Sequence, residues 1–569
     1  MNGEKTRLYR DIISGNTSKT VKLASISVLF AAFLIGRLLF ANYSFFWETD
    51  DLSIATGIAA LVRDNIGDTY RYGPQVGYYR LVQIIDMVFG SNVTHIPLIM
   101  ITLSVIAGTM IPLFSIVSFR KELKYSERIL MAFCLYINPI LWTNSRYGNT
   151  AIVALVFALA SIALLSNLPK KGIESLALAL FGLGILIRAD TVLLTPIIAM
   201  LIYFNHNSIK KTVLKCAAIG IVMIIIYALI FSFDPHMDNI HSTIKTHLFN
   251  PRYHTKFWYY LIWSISPFPL IFAVWGFRDL LEERQKLFIC VLVWCLPVFL
   301  FYFGSTTTPR YFLLTVFPVV LCSIVGLKNL AEILIKGYHL RVTLVWLGIL
   351  TLSSLHLFIG LGHFTPDRVS NIFNRAFIET HDGKLYTGGF LYHIYGGILH
   401  QTYKKKHFQF PVFAEGFHFS DDIKSALQDM TSYHGPSRTV IIVHDGWTGN
   451  VFHYNAQIVG AKYVSRSSGR PDLTNSTETW IKLGNFKVMT IANYIEEYAE
   501  LDKFKVDIGD EIWVLGTDID LEGLEIVYSK IPQGLGFFSI PSTSSNIRMY
   551  RLVKSQNIEN HTISHGFKR

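Results

Sequence analysis

Three acidic side chains follow the first apolar segment of the chain, in the run Glu48-Thr49-Asp50-Asp51. Carboxylates beside a hydrocarbon boundary repel one another and lose hydration, so acids found there usually have a function. A carboxylate in this position is able to take a proton from an acceptor hydroxyl as a general base. The alternative is a solvated helix N-terminus, where the helix dipole favours acids, because residues 52–61 have a helix-like pattern.

A second motif is Tyr72-Gly-Pro-Gln-Val-Gly-Tyr78-Tyr79, which leads into the apolar helix predicted at 81–89. The Gly-Pro step breaks the chain, and an amphipathic helix is expected to restart after it on the outer membrane surface. The tyrosines offer hydrogen-bond donors at the depth of the membrane interface. Aromatic residues at that depth also serve as simple membrane anchors, so both interpretations stay open.

Three arginines stand at the predicted outer ends of apolar segments. Arg146 lies in Asn-Ser-Arg-Tyr-Gly-Asn, Arg188 in Arg-Ala-Asp, and Arg310 in Thr-Thr-Thr-Pro-Arg-Tyr. Arginine is disfavoured on the outer side, so each implies an anionic partner. The partner is either a protein carboxylate such as Asp190 or the phosphate of a lipid substrate, which arginine binds through paired hydrogen bonds.

No metal site is predicted. The run from Asp234 to His241 contains ligand-type side chains, but their spacing matches no strong metal motif. The five cysteines all lie in or beside apolar segments, where they are expected to act as small core residues.

The apolar segments themselves predict a multi-pass membrane protein. The 569-residue chain is 51% hydrophobic and only 16% charged, well below the share of about 25% that is typical of soluble domains. Spans of about 20 residues are expected. We predict eleven, near 22–41, 93–118, 128–142, 149–167, 173–187, 190–204, 213–233, 257–276, 287–304, 311–328 and 341–361.

The charge distribution predicts two domains and their orientation. Residues 1–361 carry 30 Lys and Arg against 18 Asp and Glu, whereas residues 362–569 carry 21 against 22. Twenty of those 30 basic residues fall in segments that are cytoplasmic if the N-terminus is cytoplasmic. We therefore expect a transmembrane domain over 1–361, with long outer loops, and a soluble extracytoplasmic domain over 362–569. Basic clusters between apolar segments are topology signals and do not indicate nucleic-acid binding.

The C-terminal region is expected to be mixed α/β. The runs from Arg438 to Asp445 and from Glu511 to Gly516 have the composition of buried strands, and residues 491–501 have helical spacing.

The order of these features resembles that of the GT-C superfamily of membrane glycosyltransferases. Asp50-Asp51 is similar to the acidic pair of the family, and the segment from Tyr72 to Tyr79 to its Pro-x-x-x-Tyr-Tyr stretch. Arg310-Tyr311, with Pro318 beyond, resembles the late Arg-Tyr segment associated with the lipid phosphate. The nearest likeness is to bacterial relatives of protein mannosyltransferases and to aminoarabinose transferases.

The resemblance implies that a sugar is transferred from a polyprenyl-phosphate donor to an acceptor hydroxyl, with inversion at the anomeric carbon. The reaction would take place on the outer face of the cell membrane, that is, of the inner membrane. Asp50 or Asp51 would be the base, and Arg310 and Tyr311, with Arg188 and Arg146, would bind the donor phosphate. Glu48, Tyr72, Tyr78 and Tyr79 would line the acceptor or donor cavity. The acceptor is a lipid, a glycan or a protein. A monophosphate leaving group requires no cofactor, although a requirement for a divalent metal is an alternative.

The chain departs from this family at two positions. Close aminoarabinose transferases have a basic residue before the motif proline, where this chain has Gly73, and many relatives have an acid where it has Asn149. Lipid A modification is therefore not implied. The rival interpretations are a polysaccharide polymerase or ligase, an oligosaccharyltransferase-like enzyme, a non-enzymatic scaffold with a ligand-binding tail and, because of Arg37 and the Arg188–Asp190 pair, a transporter.

Overall fold

The computed structural model describes most of residues 19–335 and parts of the remainder. The described ranges are 19–39, 49–62, 75–145, 148–167, 171–233, 261, 267–303 and 312–335, isolated residues between 337 and 348, and then 376–379, 385–388, most of 427–444 and of 453–466, 478–492, 511–515, 525–530 and 547–551.

The described part of the region before residue 336 consists of helices joined by short turns. Its α-helices are α1 Lys19–Leu39, α2 Thr49–Val62, α3 Val76–Val88, α4 Ile96–Val117, α5 Tyr125–Tyr136, α6 Pro139–Asn144, α7 Thr150–Asn167, α8 Lys171–Ile187, α9 Thr195–His206, α10 Ile209–Phe233, α11 Pro267–Glu283, α12 Gln285–Phe303 and α13 Leu313–Leu334. Short 3-10 turns cover Val93–His95 and Ala189–Leu194.

Six of the described helical segments are long and apolar enough to cross a membrane. They are Val93–Val117, Thr150–Asn167, Ala189–His206, Ile209–Leu229, Gln285–Phe303 and Leu313–Ile333. Ile26–Leu38 and Gly172–Ile187 are shorter apolar helices. The protein is therefore a mostly helical, multi-pass membrane protein, as its composition predicts.

The core of the bundle is formed where α4, α7 and α8 pack side by side, with α9 and α12 beside them and α13 against α11. The last pair crosses at Gly276 and Gly326, where an added side chain on either residue would meet the backbone of the other helix. Close approach of small residues is the usual way in which helices associate in a membrane, because lipid offers no hydrophobic drive toward association.

The two spans predicted at 173–187 and 190–204 form a hairpin. Arg188 is extended, with φ −155° and ψ 115°, and the 3-10 turn after it leads into α9. Glu174 at the start of α8 lies 3.0 Å from His206 at the end of α9. In one straight helix these residues would be about 48 Å apart.

Three predicted elements are corrected. The span at 128–142 is two helices, α5 and α6, because Pro139 has no N–H for a continuous helix and the Asn138 side chain instead accepts from Leu141 N at 3.2 Å. The helix expected to end at 276 continues to Glu283 as α11. Ile491, expected in a helix, lies in a strand.

The number of eleven spans stays a prediction. Ten of the predicted segments overlap described helices, and the segment 341–361 lies mostly outside the described residues.

The region after residue 362 contains nine described strands. They are β1 Ala376–Glu379, β2 Leu385–Gly388, β3 Arg438–His444, β4 Lys462–Arg466, β5 Glu478–Leu483, β6 Phe486–Ala492, β7 Glu511–Leu515, β8 Glu525–Lys530 and β9 Ile547–Arg551. Seven form one sheet in the order β4-β5-β6-β3-β7-β9-β8. The predicted strand β3 is central and parallel to both neighbours, which agrees with its unbroken apolar run.

Candidate active site

The tyrosine motif is packed against the end of α8. Helix α3 begins shortly after Pro74, and a Cβ atom on Gly77 would lie only 2.7 Å from the carbonyl carbon of Leu186. Only glycine permits two backbones to approach so closely. Tyr78 and Tyr79 are 0% and 1% exposed. These side chains therefore lie inside the protein, which argues against the alternative that they are membrane-surface anchors.

The acidic motif begins the neighbouring helix. Thr49, Asp50 and Asp51 form the first turn of α2, and this helix packs against α3 and α4 through buried residues that include Ile54 and Ile58. The side chains of Asp50 and Asp51 lie outside the described part of the structure. Helix α2 is consequently part of the bundle core along its middle, rather than a solvated surface helix.

Arg188 lies at the junction of four elements. Its Nε donates to both carboxylate oxygens of Asp190, at 2.9 and 2.8 Å, and its Nη1 donates to the Thr150 hydroxyl at 3.3 Å. The hydroxyl of Tyr302, at the end of α12, donates to Asp190 at 2.8 Å. The arginine and the carboxylate are mostly buried, with side-chain exposures of 13% and 17%. This cluster joins the end of α8, the 3-10 turn, the start of α7 and the end of α12.

Asn149 organises the start of α7 beside this cluster. Its Oδ1 accepts from Ala151 N at 2.8 Å as an N-cap, and its Nδ2 donates to Asn144 Oδ1 at 2.6 Å. Its backbone N–H donates to the Ser104 hydroxyl of α4 at 2.8 Å. The amide at this position, where many resembled relatives have an acid, is therefore engaged at both ends, by the Ala151 backbone N–H and by the Asn144 side chain.

The opposite end of the bundle holds two other charge clusters. Arg284, just before α12, and Tyr302, near its end, are about 27 Å apart along that helix. Glu127 accepts from Arg284 at 3.2 Å and from Lys328 at 3.0 Å. Glu174 similarly pairs with Lys215 at 2.5 Å and contacts His206.

Burial acts to raise the pKa of the Glu127 carboxyl, but the hydrogen bonds and positive charges of Arg284 and Lys328 outweigh it. The pKa of Glu127 is therefore held below its usual range, and the carboxylate stays charged at neutral pH. Glu127 thus joins helix α5 to helix α13 and to the junction between α11 and α12.

The structure thus brings together two of the predicted site motifs, the tyrosine motif with Tyr78 and Tyr79 and the arginine Arg188. Five other predicted site residues lie outside the described residues: Glu48, Tyr72, Arg146, Arg310 and Tyr311. Of Asp50 and Asp51 only the backbone is described. Their assigned roles stay predictions.

Sequence reasoning missed Tyr302 and Thr150. The signal for Tyr302 is a tyrosine at the end of an apolar helix, a few residues before Arg310. The signal for Thr150 is its place after Asn149 in the Arg-Tyr-Gly-Asn run. Among the described residues, no group of three or more His, Cys, Asp or Glu side chains is arranged to hold a metal ion.

Comparison with known proteins gives a likeness in fold only. No family model matches the sequence, and no curated protein matches it. The structure is similar to the crystal structure of ArnT from Cupriavidus metallidurans bound to undecaprenyl phosphate, with 11% identity, a TM-score of 0.49, and coverage of 95% of this chain and 99% of that one. It is similar to the apo state of the same protein, with 10% identity, a TM-score of 0.49, and coverage of 94% and 100%.

Proposed function

We propose that this protein is a membrane glycosyltransferase that transfers a sugar from a polyprenyl-phosphate donor to an acceptor hydroxyl. The observation that carries the proposal is the gathering of motifs at one end of an apolar bundle. Helix α3, with the tyrosine motif, packs on the acidic helix α2 and abuts the end of α8 beside Arg188. In the family that the sequence resembles, an acidic pair and this aromatic stretch serve one reaction.

The proposed reaction is a single inverting displacement. Asp50 takes the proton of the acceptor hydroxyl while the oxygen of that hydroxyl attacks the anomeric carbon of the donor sugar. The bond between this carbon and the phosphate oxygen breaks, and polyprenyl phosphate leaves with the electron pair. Asp51 is the alternative base. Glu48 and Tyr72 are assigned to the wall of the donor or acceptor cavity, and the buried side chains of Tyr78 and Tyr79 are assigned to the packing that supports this wall.

We assign the neutralisation of the charge on the leaving phosphate mainly to Arg310, with Tyr311 beside it. Arg188 and Arg146 are assigned as further hydrogen-bond donors to this phosphate. Fixed cations placed where charge develops are usually a large catalytic term. The pairing of Arg188 with Asp190 at 2.8 Å supports a smaller contribution from Arg188 than from Arg310, because the carboxylate already balances much of the charge of Arg188. A paired guanidinium still donates hydrogen bonds to a phosphate but neutralises less of its charge.

The membrane arrangement is proposed to follow the sequence prediction. Eleven spans would place residues 1–361 in the membrane, with the N-terminus cytoplasmic and an α/β domain of residues 362–569 outside. The charge clusters of Glu127 and Glu174 support this orientation. Their basic partners Arg284, Lys328 and Lys215 belong to the predicted cytoplasmic segments, at the end of the bundle opposite Arg188.

A metal-independent reaction is part of the proposal. A phosphate monoester is sufficiently neutralised by arginines, and the amide of Asn149 replaces the acid that many resembled relatives have at that position. The partners are then the polyprenyl-phosphate sugar, the surrounding membrane lipids and a lipid, glycan or protein acceptor. Nucleic acid is not among them.

The test is a transfer assay with the purified full-length protein in lipid. Radiolabelled polyprenyl-phosphate sugars are supplied with candidate acceptors, and the release of polyprenyl phosphate is followed with and without EDTA. We expect transfer that EDTA does not abolish. Transfer only from a pyrophosphate-linked donor, restored by Mg²⁺ or Mn²⁺ after EDTA, would contradict the proposal and favour an oligosaccharyltransferase-like enzyme.

The transporter alternative has little support. Arg188 and Asp190 lie at the break between α8 and α9 and pair with each other. Ionisable groups that define a transport site are instead expected near the middle of the membrane. Uptake of a labelled sugar into proteoliposomes without any release of polyprenyl phosphate would be the evidence for that class.

A further inference from the structure

Arg37 is a buried cation near the end of α1 that the proposed reaction does not use. Its side chain is 0% exposed. Burial of a charge in a membrane protein is costly, and residues of this kind usually have a function. The question is what this arginine holds in place.

Arg37 contacts one short stretch of chain, from Tyr136 to Ser145. Nη2 donates to the Tyr136 carbonyl at 2.8 Å, and Nη1 donates to the Ser145 hydroxyl at 2.5 Å and the Leu141 carbonyl at 3.3 Å. The guanidinium also lies over the rings of Tyr136 and Trp142, at 5.0 and 4.5 Å from their centroids. Cation–π contacts of this kind stabilise a desolvated guanidinium.

This stretch contains the break between α5 and α6. Pro139 supplies no N–H, and the backbone at Ile137 and Asn138 leaves the helix, so carbonyls near the break lack part of their usual helical partners. Arg37 donates to the Tyr136 carbonyl at this place. Its two-nitrogen fork therefore spans the break, from the end of α5 to the residue after α6.

The same stretch leads directly to the candidate site. Ser145 immediately precedes Arg146 in the sequence. Asn144 accepts from Asn149, which caps α7, and Thr150 in the first position of that helix accepts from Arg188. A path of hydrogen bonds and of covalent links between neighbouring residues thus runs from the α5–α6 break through the start of α7 to Arg188, Asp190 and Tyr302.

We infer that Arg37 is a positioning residue for the active site, acting on Arg188 through residues 136–145 and the start of α7. The inference rests on the proposed function for the reaction concerned. Its specific content is that the guanidinium fork, and not only its charge, fixes residues 136–145, which lead to the start of α7 and Thr150. A misplacement of about 1 Å is enough to cost roughly a hundredfold in rate.

The first experiment compares Arg37→Met and Arg37→Lys with the wild type in lipid, measuring kcat, KM for the donor and the melting temperature. Methionine keeps an unbranched apolar stem, and lysine keeps the charge but has a single donor atom. We expect kcat per folded protein to fall about ten- to a hundredfold and donor KM to rise in both variants. Arg278→Ala, which removes an exposed arginine at the opposite end of the bundle, is the matched control and should leave both constants unchanged.

Wild-type kcat and KM in folded Arg37→Met would overturn the inference, and so would full rescue by lysine. If Arg37→Met does not fold, Ser145→Ala replaces it, because this change removes only one acceptor of the fork. A smaller loss in the same direction is then expected, and unchanged kinetics in Ser145→Ala would also overturn the inference.

A double-mutant cycle separates this inference from the proposed function. The melting temperatures of Arg37→Met, Thr150→Val and the double variant are measured without substrate. Changes at distant, independent sites add, so a non-additive result supports coupling between the two residues, and an additive result overturns it. If the wild type transfers no sugar from any polyprenyl-phosphate donor, the proposed function fails, while the cycle still decides whether Arg37 acts on the start of α7.

Discussion

The two ends of helix α12 are built from similar ionic groups arranged in different ways. At one end Glu127 is 4% exposed and faces two cations, Arg284 and Lys328, so that every group is used to hold helices together. At the other end Asp190 faces one arginine and one phenol, and Arg188 extends further to a threonine. The first arrangement, which we call the Glu127 staple, consists of Glu127, Arg284 and Lys328; it holds helices together and carries excess positive charge. The second orients one guanidinium at the place where the sequence motifs meet.

This comparison predicts that substitutions at the two ends have separate effects. Changes at the Arg188 end should alter kinetics more than stability, and changes at the Glu127 end should do the reverse.

The largest effect is expected for Asp50→Asn, which keeps the shape of the side chain but removes the proton acceptor. Loss of a general base typically costs about 10²–10⁴-fold in turnover. Donor binding and melting temperature should stay near their wild-type values, since α2 is held by Ile54 and Ile58. The measurement is sugar transfer and donor binding in membranes. Asp51→Asn is the matched control, and an inactive Asp51→Asn beside an active Asp50→Asn would move the role of base by one residue.

A smaller kinetic effect is expected for Tyr302→Phe, which removes the hydroxyl that donates to Asp190 at 2.8 Å. A hydrogen bond to a charged group contributes about 1.5–3 kcal/mol, and partial exposure of Asp190 reduces this value. Donor KM should therefore rise by up to about tenfold. The control is Tyr203→Phe, because Tyr203 lies near the opposite end of α9. Equal effects of the two substitutions would remove Tyr302 from the site.

Glu127→Gln tests how much the Glu127 staple contributes to the stability of the protein. Loss of the carboxylate leaves Arg284 and Lys328 without their buried acid and is expected to lower the free energy of unfolding by about 1–3 kcal/mol. Transfer per folded protein should not change. Glu282→Gln, which removes a 58%-exposed partner of Arg278, should leave the stability nearly unchanged, because exposed ion pairs contribute little. Loss of activity in fully folded Glu127→Gln would break the proposed separation of the two ends.

The pH dependence of the same staple gives the smallest effect. Because the pKa of Glu127 is lower in the folded protein, its contribution to stability is present above the pKa of the unfolded carboxyl and disappears as the pH falls through the folded value. The melting temperature of the wild type should therefore drop more steeply than that of Glu127→Gln as the pH is lowered below about 4. Parallel curves for the two proteins, measured by thermal unfolding in lipid, would show that this carboxylate is not coupled to folding.

Most of the helical layout was predictable because membrane spans are read from composition over long windows. The segments near 149–167, 213–233 and 287–304 agree with described helices within a few residues. The predictions of secondary structure were wrong where a single residue or pairing has more influence than the average composition of the surrounding window. Pro139 divides one apolar stretch into α5 and α6, and Ile491 pairs with Val443 in a sheet although the residues from 491 to 501 are spaced like a helix.

The candidate site was predictable as a set of motifs but not as a set of contacts. The sequence named Arg188 and offered Asp190 or a phosphate as its partner, and the carboxylate is found at 2.8 Å. It also named Tyr78 and Tyr79, whose burial depends on Gly77 meeting Leu186 more than a hundred residues along the chain.

What the sequence by itself determined is therefore what depends on local composition: apolar spans, an acidic turn, an aromatic helix after Gly-Pro and arginines at the ends of apolar segments. The tertiary structure alone decided which of these groups meet. Tyr302 reaches Asp190 across 112 residues, and Arg37 reaches Ser145 across 108. The physical reason is that a buried polar group must find its partner within hydrogen-bonding distance, and that distance is set by how helices pack rather than by how the chain is ordered.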